Sequence, residues 1–193
     1  MSKLVEVERL ALGCTRCPLS AGRTHVVFGE GDPAAGLMVV GEGPGHDEDL
    51  QGRPFVGRSG QLLDRLLLEE AGLRRQEVYI ANVVKCRPPN NRDPRPEEIA
   101  SCRPFLDQQV AIIAPAVILT LGNFASKTLL GASEGITRLR GRTYPYPGAS
   151  GPAIVPTFHP AAALRGGGEV VAQMRADFVR ARRTLDAVRA AAP

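Results

Sequence analysis

Three polar side chains stand at the ends of apolar, strand-like runs, where they could meet around one ligand. Glu42 lies in the loop after the first run, Asn82 near the end of the second, and His159 directly after the last. Ligands bind outside the carboxyl ends of parallel strands, so these side chains are expected to converge on one crevice. A carboxylate can orient water, an amide can read a hydrogen-bonding edge, and an imidazole can donate to a developing anion. The combination is the first indication of a function.

The loop that carries Glu42, GEGPGHDED at residues 41–49, shares only its glycines with phosphate-binding loops. Glycine-rich loops at strand ends can close backbone N–H groups on an anion. Here no P-loop lysine follows, and the spacing of a dinucleotide-binding loop is missing. The loop instead ends in the acids Asp47, Glu48 and Asp49, which would repel a phosphate. A different ligand has to explain this loop.

The chain holds four cysteines, two of them in a C-x-x-C pair. The pair is Cys14 and Cys17, and Cys86 and Cys102 follow at a distance. Four cysteines in a cytoplasmic chain seldom form structural disulfides, which leaves separate buried thiols or one four-thiolate metal site. The pair favours the metal site, where Arg16 would offset thiolate charge, and the spacing accepts zinc or an iron–sulfur cluster. A thioredoxin-like redox pair is disfavoured because this motif does not follow a strand and open a helix.

The order of apolar patterns predicts an α/β fold. Four short runs are apolar on both faces, as in a covered sheet: Leu37–Val40, Val78–Val84, Ala116–Leu121 and Ala153–Phe158. Helical patterns cover residues 59–72, 95–115, 123–131 and 169–189. This alternation implies right-handed crossovers and one three-layer domain over residues 1–193, with a four-stranded, mainly parallel sheet between helices. The stretch before Pro33 shows little periodicity, and ITRLRGRTYPYPG at 136–148 is expected to form an irregular ribbon.

The composition is that of an ordinary globular protein. The chain has 193 residues, of which 44% are hydrophobic and 23% charged. This length allows a core without disulfides or oligomerisation, so a monomer is expected. No run approaches a membrane span and MSKLVEVERLALG lacks the apolar core of a signal peptide, so we expect a cytoplasmic protein with no membrane partner. The net charge of +4 permits a polyanionic partner.

Five features in order resemble a family 4 uracil-DNA glycosylase, the iron–sulfur branch of the uracil-DNA glycosylase superfamily. They are the cysteine quartet, GEGPGHDED, GRPFVGRSG, YIANVVKCRPPNNR and FHPAAALR, and they cover nearly the whole chain. The resemblance implies a four-stranded parallel sheet between helices. It also implies one structural [4Fe–4S] cluster per chain, held by Cys14, Cys17, Cys86 and Cys102. The implied reaction releases free uracil from single- or double-stranded DNA, leaves an abasic site and initiates base excision repair.

The resemblance also assigns roles around the base. Uracil leaves as an anion while the sugar becomes positive, so a donor near the base and an acid near the sugar both help. By resemblance, His159 donates to uracil O2 and Glu42 positions or activates the attacking water. Asn82 accepts from N3–H and donates to O4, a pattern that cytosine reverses. Phe55 stacks on the flipped base, and Glu48 crowds C5 and excludes the thymine methyl.

Further positions follow from the same resemblance. Gly43 is expected among the residues that bind uracil. It stands where the better-known family 1 enzymes carry an acidic residue, so the base is either Glu42 or absent. HPAAALR looks like the loop that enters the minor groove, with Ala163, Leu164 and Arg165 at the DNA. Leu164 could fill the gap left by the flipped base, and Arg165 could contact a phosphate.

Two other classes of protein compete with this interpretation. A non-catalytic iron–sulfur or zinc module of the replication or repair machinery would keep the cysteines but need neither Asn82 nor His159. An electron carrier would leave all the crevice residues incidental. Release of free uracil from an oligonucleotide separates the three classes.

Overall fold

The apolar runs form the centre of a sheet in the computed structural model, which describes residues 2–148 and 151–191. Within these residues the sheet has six strands: β1 (Glu30–Gly31), β2 (Leu37–Gly41), β3 (Tyr79–Asn82), β4 (Val117–Leu121), β5 (Tyr144–Pro145) and β6 (Ala153–Thr157). Every residue of β2, β3 and β4 is buried. Burial on both faces is what the continuous apolar runs predicted.

The strand order places the four longer strands together. The order is β1-β3-β2-β4-β6-β5, with the inner four strands parallel and the two edge strands antiparallel. The predicted parallel sheet is therefore confirmed, and it is wider than the four strands expected. Each edge strand has only two residues, too few for an alternating pattern to reveal it.

Helices cover both faces of the sheet. In the described residues they are α1 (Lys3–Leu12), α2 (His46–Gln51), α3 (Arg58–Ala71), α4 (Pro96–Ile113), α5 (Gly122–Leu130), α6 (Ile136–Leu139), α7 (Pro160–Gly166) and α8 (Gly168–Ala191). The pattern at residues 59–72 predicts a helix that is capped by Ser59 and stops at Gly72. The stop is confirmed, because Gly72 has a φ of 61° at the end of α3. The predicted cap is wrong, because the helix begins at Arg58 and its N-cap is Gly57. None of the helices in the described ranges is long and apolar enough to cross a membrane.

The N-terminal stretch, where the sequence showed little periodicity, contains α1. Ser2 caps this helix by accepting a hydrogen bond from Val5 N at 3.4 Å. Leu4, Val7 and Ala11 are its buried residues, and the helix packs against α4. The apolar stripe is hard to recognise in the sequence because other leucines of the same helix are exposed. The predicted ribbon at 136–148 likewise contains the single turn α6 and strand β5.

The core consists of two apolar clusters, one on each side of the sheet. One cluster joins α1, α4 and α5 to the sheet and includes Cys86 and Cys102. The other joins α3, α7 and α8 to the opposite face, through residues such as Leu66, Ala163 and Phe178. The two covered faces fix the inner strands, and thereby fix where their carboxyl ends lie.

Candidate active site

The carboxyl ends of the inner strands bring the predicted crevice residues to one edge of the sheet. Asn82 is the last residue of β3 and pairs in register with Gly41 at the end of β2, and Glu42 follows Gly41 directly. His159 follows β6 and caps α7. Gly122, which follows β4, packs against it so closely that an added Cβ would lie 3.1 Å from His159 Cβ. All four inner strands therefore contribute to this edge.

Asn82 presents an unpaired hydrogen-bond acceptor at this edge. The residue is 1% exposed. Among residues 2–148 and 151–191, its Oδ1 is the one buried side-chain nitrogen or oxygen that has no hydrogen-bond partner. A buried polar atom without a partner costs roughly 1–3 kcal/mol. A fold that keeps such an atom has an acceptor ready for a donor that arrives with a ligand.

Phe55 lies beside that acceptor in an unusual backbone conformation. A Cβ added to Gly41 would lie 2.5 Å from both Asn82 Oδ1 and Phe55 Cζ, so both groups border the same glycine. The ring centroids of Phe55 and His159 are 5.8 Å apart, with an angle of 33° between the ring planes. Phe55 has a φ of 52°, which is uncommon for a residue with a side chain. The structure thus gathers an aromatic face, an amide and an imidazole.

His159 is held as a neutral imidazole. Its Nδ1 accepts from Ala161 N at 3.1 Å, the contact that begins α7. Since an acceptor nitrogen carries no proton, the hydrogen of the neutral ring lies on Nε2. Desolvation, followed by the positive charge of Arg165, lowers the pKa of His159 to about 4, although Glu48 opposes the shift. Near neutral pH the ring is therefore an uncharged donor.

Glu42 is a half-buried carboxyl group with a raised pKa. Burial, followed by the negative charge of Asp93, raises its pKa to about 7. A carboxyl group that titrates near neutral pH can exchange a proton with water or hold a water molecule. Asp93 was not singled out in the sequence, because it lies in the loop after β3, fifty-one positions from Glu42.

Glu48 ties two loops together. Its Oε1 accepts from Val56 N at 2.9 Å and Gly57 N at 3.1 Å, and its Oε2 accepts from Gly45 N at 3.2 Å. The carboxylate therefore fixes the glycine loop against the segment that carries Phe55. This contact set was not foreseen, and the predicted role of Glu48 at uracil C5 remains a prediction.

Gly43 has no room for a side chain in this arrangement. A Cβ at this position would lie 2.7 Å from Val84 Cγ2. Because a valine side chain is stiff, the overlap could not be relieved by a simple rotation. Steric contact with Val84 therefore favours glycine at this position.

The four cysteines line one small cavity on the α4 side of the sheet. Burial raises the pKa of Cys102 to about 11 and that of Cys86 above its usual value. Arg23 Nη1 lies 3.4 Å from Cys86 Sγ, and Lys85 N donates to Cys102 Sγ at 3.2 Å. These donors oppose the effect of burial, because they stabilise the thiolate forms, but the net pKa of both groups stays raised.

The cavity differs in two ways from the sequence prediction. Arg16 lines it but places its guanidinium over the Phe105 ring, 5.1 Å from the centroid, and Arg23 makes the direct sulfur contact instead. Within the described residues, no three His, Cys, Asp or Glu side chains form a group that could hold a metal ion. All four thiols line this one cavity, and soft sulfur donors suit a thiolate metal centre.

Lys85 connects this cavity to the crevice and was missed in the sequence. It is 1% exposed, and its Nζ donates to Asn82 O at 2.8 Å and to Gln109 Oε1 at 2.5 Å. Its backbone N–H is the donor to Cys102. The same residue therefore contacts the end of β3 and a cysteine.

The segment HPAAALR presents two of its three predicted DNA contacts to solvent. Leu164 is 44% exposed and Arg165 is also exposed, whereas Ala163 is 2% exposed and belongs to the core. A large exposed apolar side chain beside an arginine suits insertion into a base stack next to a phosphate. Ala163 supports this segment from below.

The comparisons with known proteins agree with the geometry. A family model described as the Uracil DNA glycosylase superfamily matches residues 28–185. The chain is 53% identical over 153 residues to a type-4 uracil-DNA glycosylase of Thermotoga maritima, covering 79% of this chain and 78% of the relative. It is 47% identical over 169 residues to that of Sulfurisphaera tokodaii, covering 85% and 77%, respectively. The chain belongs to the uracil DNA glycosylase superfamily.

Proposed function

We propose that this protein excises uracil from DNA by hydrolysing the N-glycosidic bond, as a type-4 uracil-DNA glycosylase. The observation that carries the proposal is the buried, unpaired Oδ1 of Asn82, bordered by Phe55 and within the same crevice as a neutral His159. An acceptor at this depth selects a ligand that carries a donor, and uracil carries one at N3. A flipped base is read in this way, by stacking and by hydrogen bonds to its pairing edge.

Base selection follows from the hydrogen bonds of Asn82. Its Oδ1 accepts from uracil N3–H and its amide nitrogen donates to O4. Cytosine offers an acceptor at N3 and a donor on the amino group at C4. The Asn82 oxygen would then face an acceptor and its amide nitrogen would face a donor, so neither hydrogen bond could form. Sites built on buried hydrogen bonds reject mismatched ligands by large factors, because the buried groups are left unpaired.

The chemical step requires stabilisation of two charges. The His159 Nε2–H donates to O2 as the uracil anion forms, and a neutral donor suffices because its hydrogen bond strengthens as charge builds. Glu42 holds the water that attacks the positively charged sugar. An ionised Glu42 also stabilises that positive charge, which explains an acidic loop where a phosphate-binding loop would be basic.

The cysteine cavity is assigned to one [4Fe–4S] cluster per chain. Its four sulfur ligands would be the thiols that share this cavity, in keeping with the resemblance to the iron–sulfur branch of the family. Cys14 and Cys17 follow α1, Cys86 follows β3 and Cys102 lies in α4. A cluster there would cross-link three segments, so its role is structural.

The substrate is uracil-containing DNA, in which Leu164 fills the space of the flipped base and Arg165 contacts a phosphate. The reaction leaves an abasic site and initiates base excision repair. A cytoplasmic monomer is sufficient for this activity, since every residue named in the crevice comes from one chain.

One assay tests the function, and a second tests the cluster. Purified protein incubated with a uracil-containing oligonucleotide should release free uracil, and the cytosine-containing oligonucleotide is the matched control. Binding without release would favour a non-catalytic module. Anaerobically purified protein should contain about four iron ions and about four sulfide ions per chain, as expected for one cluster bound by four cysteines. Stoichiometric zinc without iron would contradict the cluster.

A further inference from the structure

The backbone of Phe55 needs support beyond the contacts that Glu48 makes with the next two residues. Its φ of 52° lies in the left-handed region, and such conformations in residues other than glycine persist only when surrounding contacts hold them. Gly60 permits the conformation, because a Cβ there would overlap the Phe55 carbonyl group. Gly60 only leaves room for this conformation. The contacts that stabilise it have to reach Pro54 and Phe55 from another element.

Arg75 supplies that support. Its Nη2 donates to Pro54 O and its Nη1 donates to Phe55 O at 3.2 Å, so one guanidinium holds two successive carbonyl groups. The side chain is 14% exposed. These bonds act on the peptide groups that flank the left-handed residue, where they resist its return to an ordinary conformation.

The guanidinium of Arg75 is itself fixed by two carboxylates. Its Nε donates to Glu30 Oε1 at 2.8 Å and its Nη1 also donates to Asp64 Oδ1 at 2.9 Å. Glu30 belongs to edge strand β1 and Asp64 to α3. Arginine suits this task because its planar fork directs several donors at once, which a lysine ammonium cannot reproduce.

The position of Arg75 in the chain couples Phe55 to Asn82. Arg75 opens the turn Arg75–Glu77 that leads into β3, and Asn82 ends that strand. One short segment therefore anchors the aromatic ring at its beginning and presents the base-reading amide at its end. The separation between ring and amide is then set by a rigid strand.

We infer that Arg75 is a positioning residue for base excision: it locks the Pro54–Phe55 backbone so that the Phe55 ring faces the base read by Asn82. This inference rests on the proposed function, in which Phe55 stacks on uracil. Arg75 touches neither base nor sugar. It acts through Phe55, and misplacement of a group by about 1 Å can cost about 100-fold in rate.

Two substitutions separate this role from simple charge pairing. Arg75→Met removes the fork and the charge, whereas Arg75→Lys keeps the charge beside Glu30 and Asp64. We expect both variants to lower single-turnover uracil excision about 10- to 100-fold, with affinity for abasic DNA within about twofold of wild type, because phosphate contacts supply that affinity. Arg53→Met is the matched control. Arg53 also pairs with Glu30 but is 58% exposed, and its variant should excise at the wild-type rate.

A double-mutant cycle then identifies the residue through which Arg75 acts. In a Phe55→Ala background, adding Arg75→Met should cost less than about twofold in excision, since the ring to be positioned is gone. An undiminished cost there would overturn the inference, as would wild-type excision by Arg75→Lys. If Arg75→Met does not fold, Arg75→Lys carries both tests alone.

Hydrogen exchange gives a readout that does not depend on activity. The amides of Val56 and Gly57, bonded to Glu48, should exchange faster in Arg75→Lys and stay protected in Arg53→Met. Unchanged protection in Arg75→Lys would overturn the inference.

Absence of uracil release by wild-type protein would defeat the proposed function, and with it the inference. Normal release by wild-type protein and by Arg75→Lys would defeat the inference alone.

Discussion

Two polar side chains, each 1% exposed, are treated in opposite ways by this fold. Asp177, in α8, accepts from Arg140 at 2.9 and 3.0 Å, from Thr157 Oγ1 at 2.8 Å and from Gly141 N at 3.2 Å. Asn82 Oδ1 accepts from no group in the described residues. Burial alone therefore says little about function. The fold satisfies the polar group that stabilises it and leaves unsatisfied the one that a ligand completes.

The backbone around the two residues shows the same contrast. Asp177 lies in the middle of a regular helix that packs against the sheet. Asn82 lies beside Phe55, which has a left-handed backbone conformation, and Gly41 packs closely against both side chains. Strained or unsatisfied groups at one edge of an otherwise satisfied core are typical of a binding site.

The largest expected effect on excision comes from replacing Asn82, the residue with the unpaired acceptor. Asn82→Asp should lower single-turnover uracil excision about 1000-fold or more and allow slow cytosine excision, because a protonated acid matches part of the cytosine pattern. Folding stability should fall as well, because residue 82 is 1% exposed and burial penalises an ionised carboxylate. Full uracil activity in Asn82→Asp would show that this amide does not read the base.

The next effect concerns the donor opposite that amide. His159→Ala should lower single-turnover excision about 100- to 1000-fold, the usual cost of losing one donor to a developing anion. The pKa of about 4 means that the ring stays neutral above about pH 5, so His159 should add no pH dependence there. Unimpaired excision by His159→Ala would remove it from the reaction.

Asp177, the buried residue whose hydrogen bonds are all made within the fold, provides a complementary test of stability. Asp177→Ala leaves Arg140 without its buried partner and should lower the free energy of unfolding by about 3 kcal/mol. Excision by the folded protein should remain within about threefold of wild type. Urea titration measures the first quantity and single-turnover excision the second. Asp186→Ala is the control, because Asp186 pairs with Arg182 at the surface and should cost less than about 1 kcal/mol.

The smallest effect concerns Glu42→Gln, which should keep excision within about tenfold of wild type because an amide can still orient water. Glu42→Ala should lose about 100-fold. The raised pKa, about 7, means that the carboxylate is lost as pH falls through 7, so wild-type excision should decline there and the decline should vanish in Glu42→Gln. An equally inactive Glu42→Gln would instead require a carboxylate base.

The same pKa sets the sign of an effect on stability. Because the pKa of Glu42 is higher in the folded protein than its ordinary 4.5, folding favours the protonated form. The stability contributed by that preference is present at low pH and is lost as pH rises through 7. Glu42→Gln should therefore raise the free energy of unfolding above pH 7 and change it little near pH 4. Urea titrations at the two pH values check this.

The sequence predicted the inner sheet and the positions of Glu42, Asn82 and His159 because each depends on local pattern. Apolar runs mark buried strands, and parallel strands bring their carboxyl ends together. Arg75 and Lys85 could not be predicted in this way. Their partners lie on other elements, and no spacing rule connects an arginine to a carbonyl group 20 residues earlier.

Local pattern also failed where elements are short or weakly amphipathic. The edge strands have two residues each, and α1 exposes Leu10 and Leu12 beside its three buried residues. The burial of Ala163 likewise depends on how α7 packs against α3 and α8, which an alanine run does not encode. Tertiary packing decides each of these cases.

The close approach of Gly43 to Val84 constrains how this chain could evolve an acid at position 43, next to Glu42. With Val84 in place, the Cβ of an aspartate introduced by Gly43→Asp would lie 2.7 Å from Val84 Cγ2. This overlap would prevent the new side chain from fitting into the loop. Trimming residue 84 to alanine first would open that space at the cost of a small cavity. The two substitutions are therefore epistatic, and only the order that begins with Val84→Ala avoids an intermediate with a steric clash in the loop.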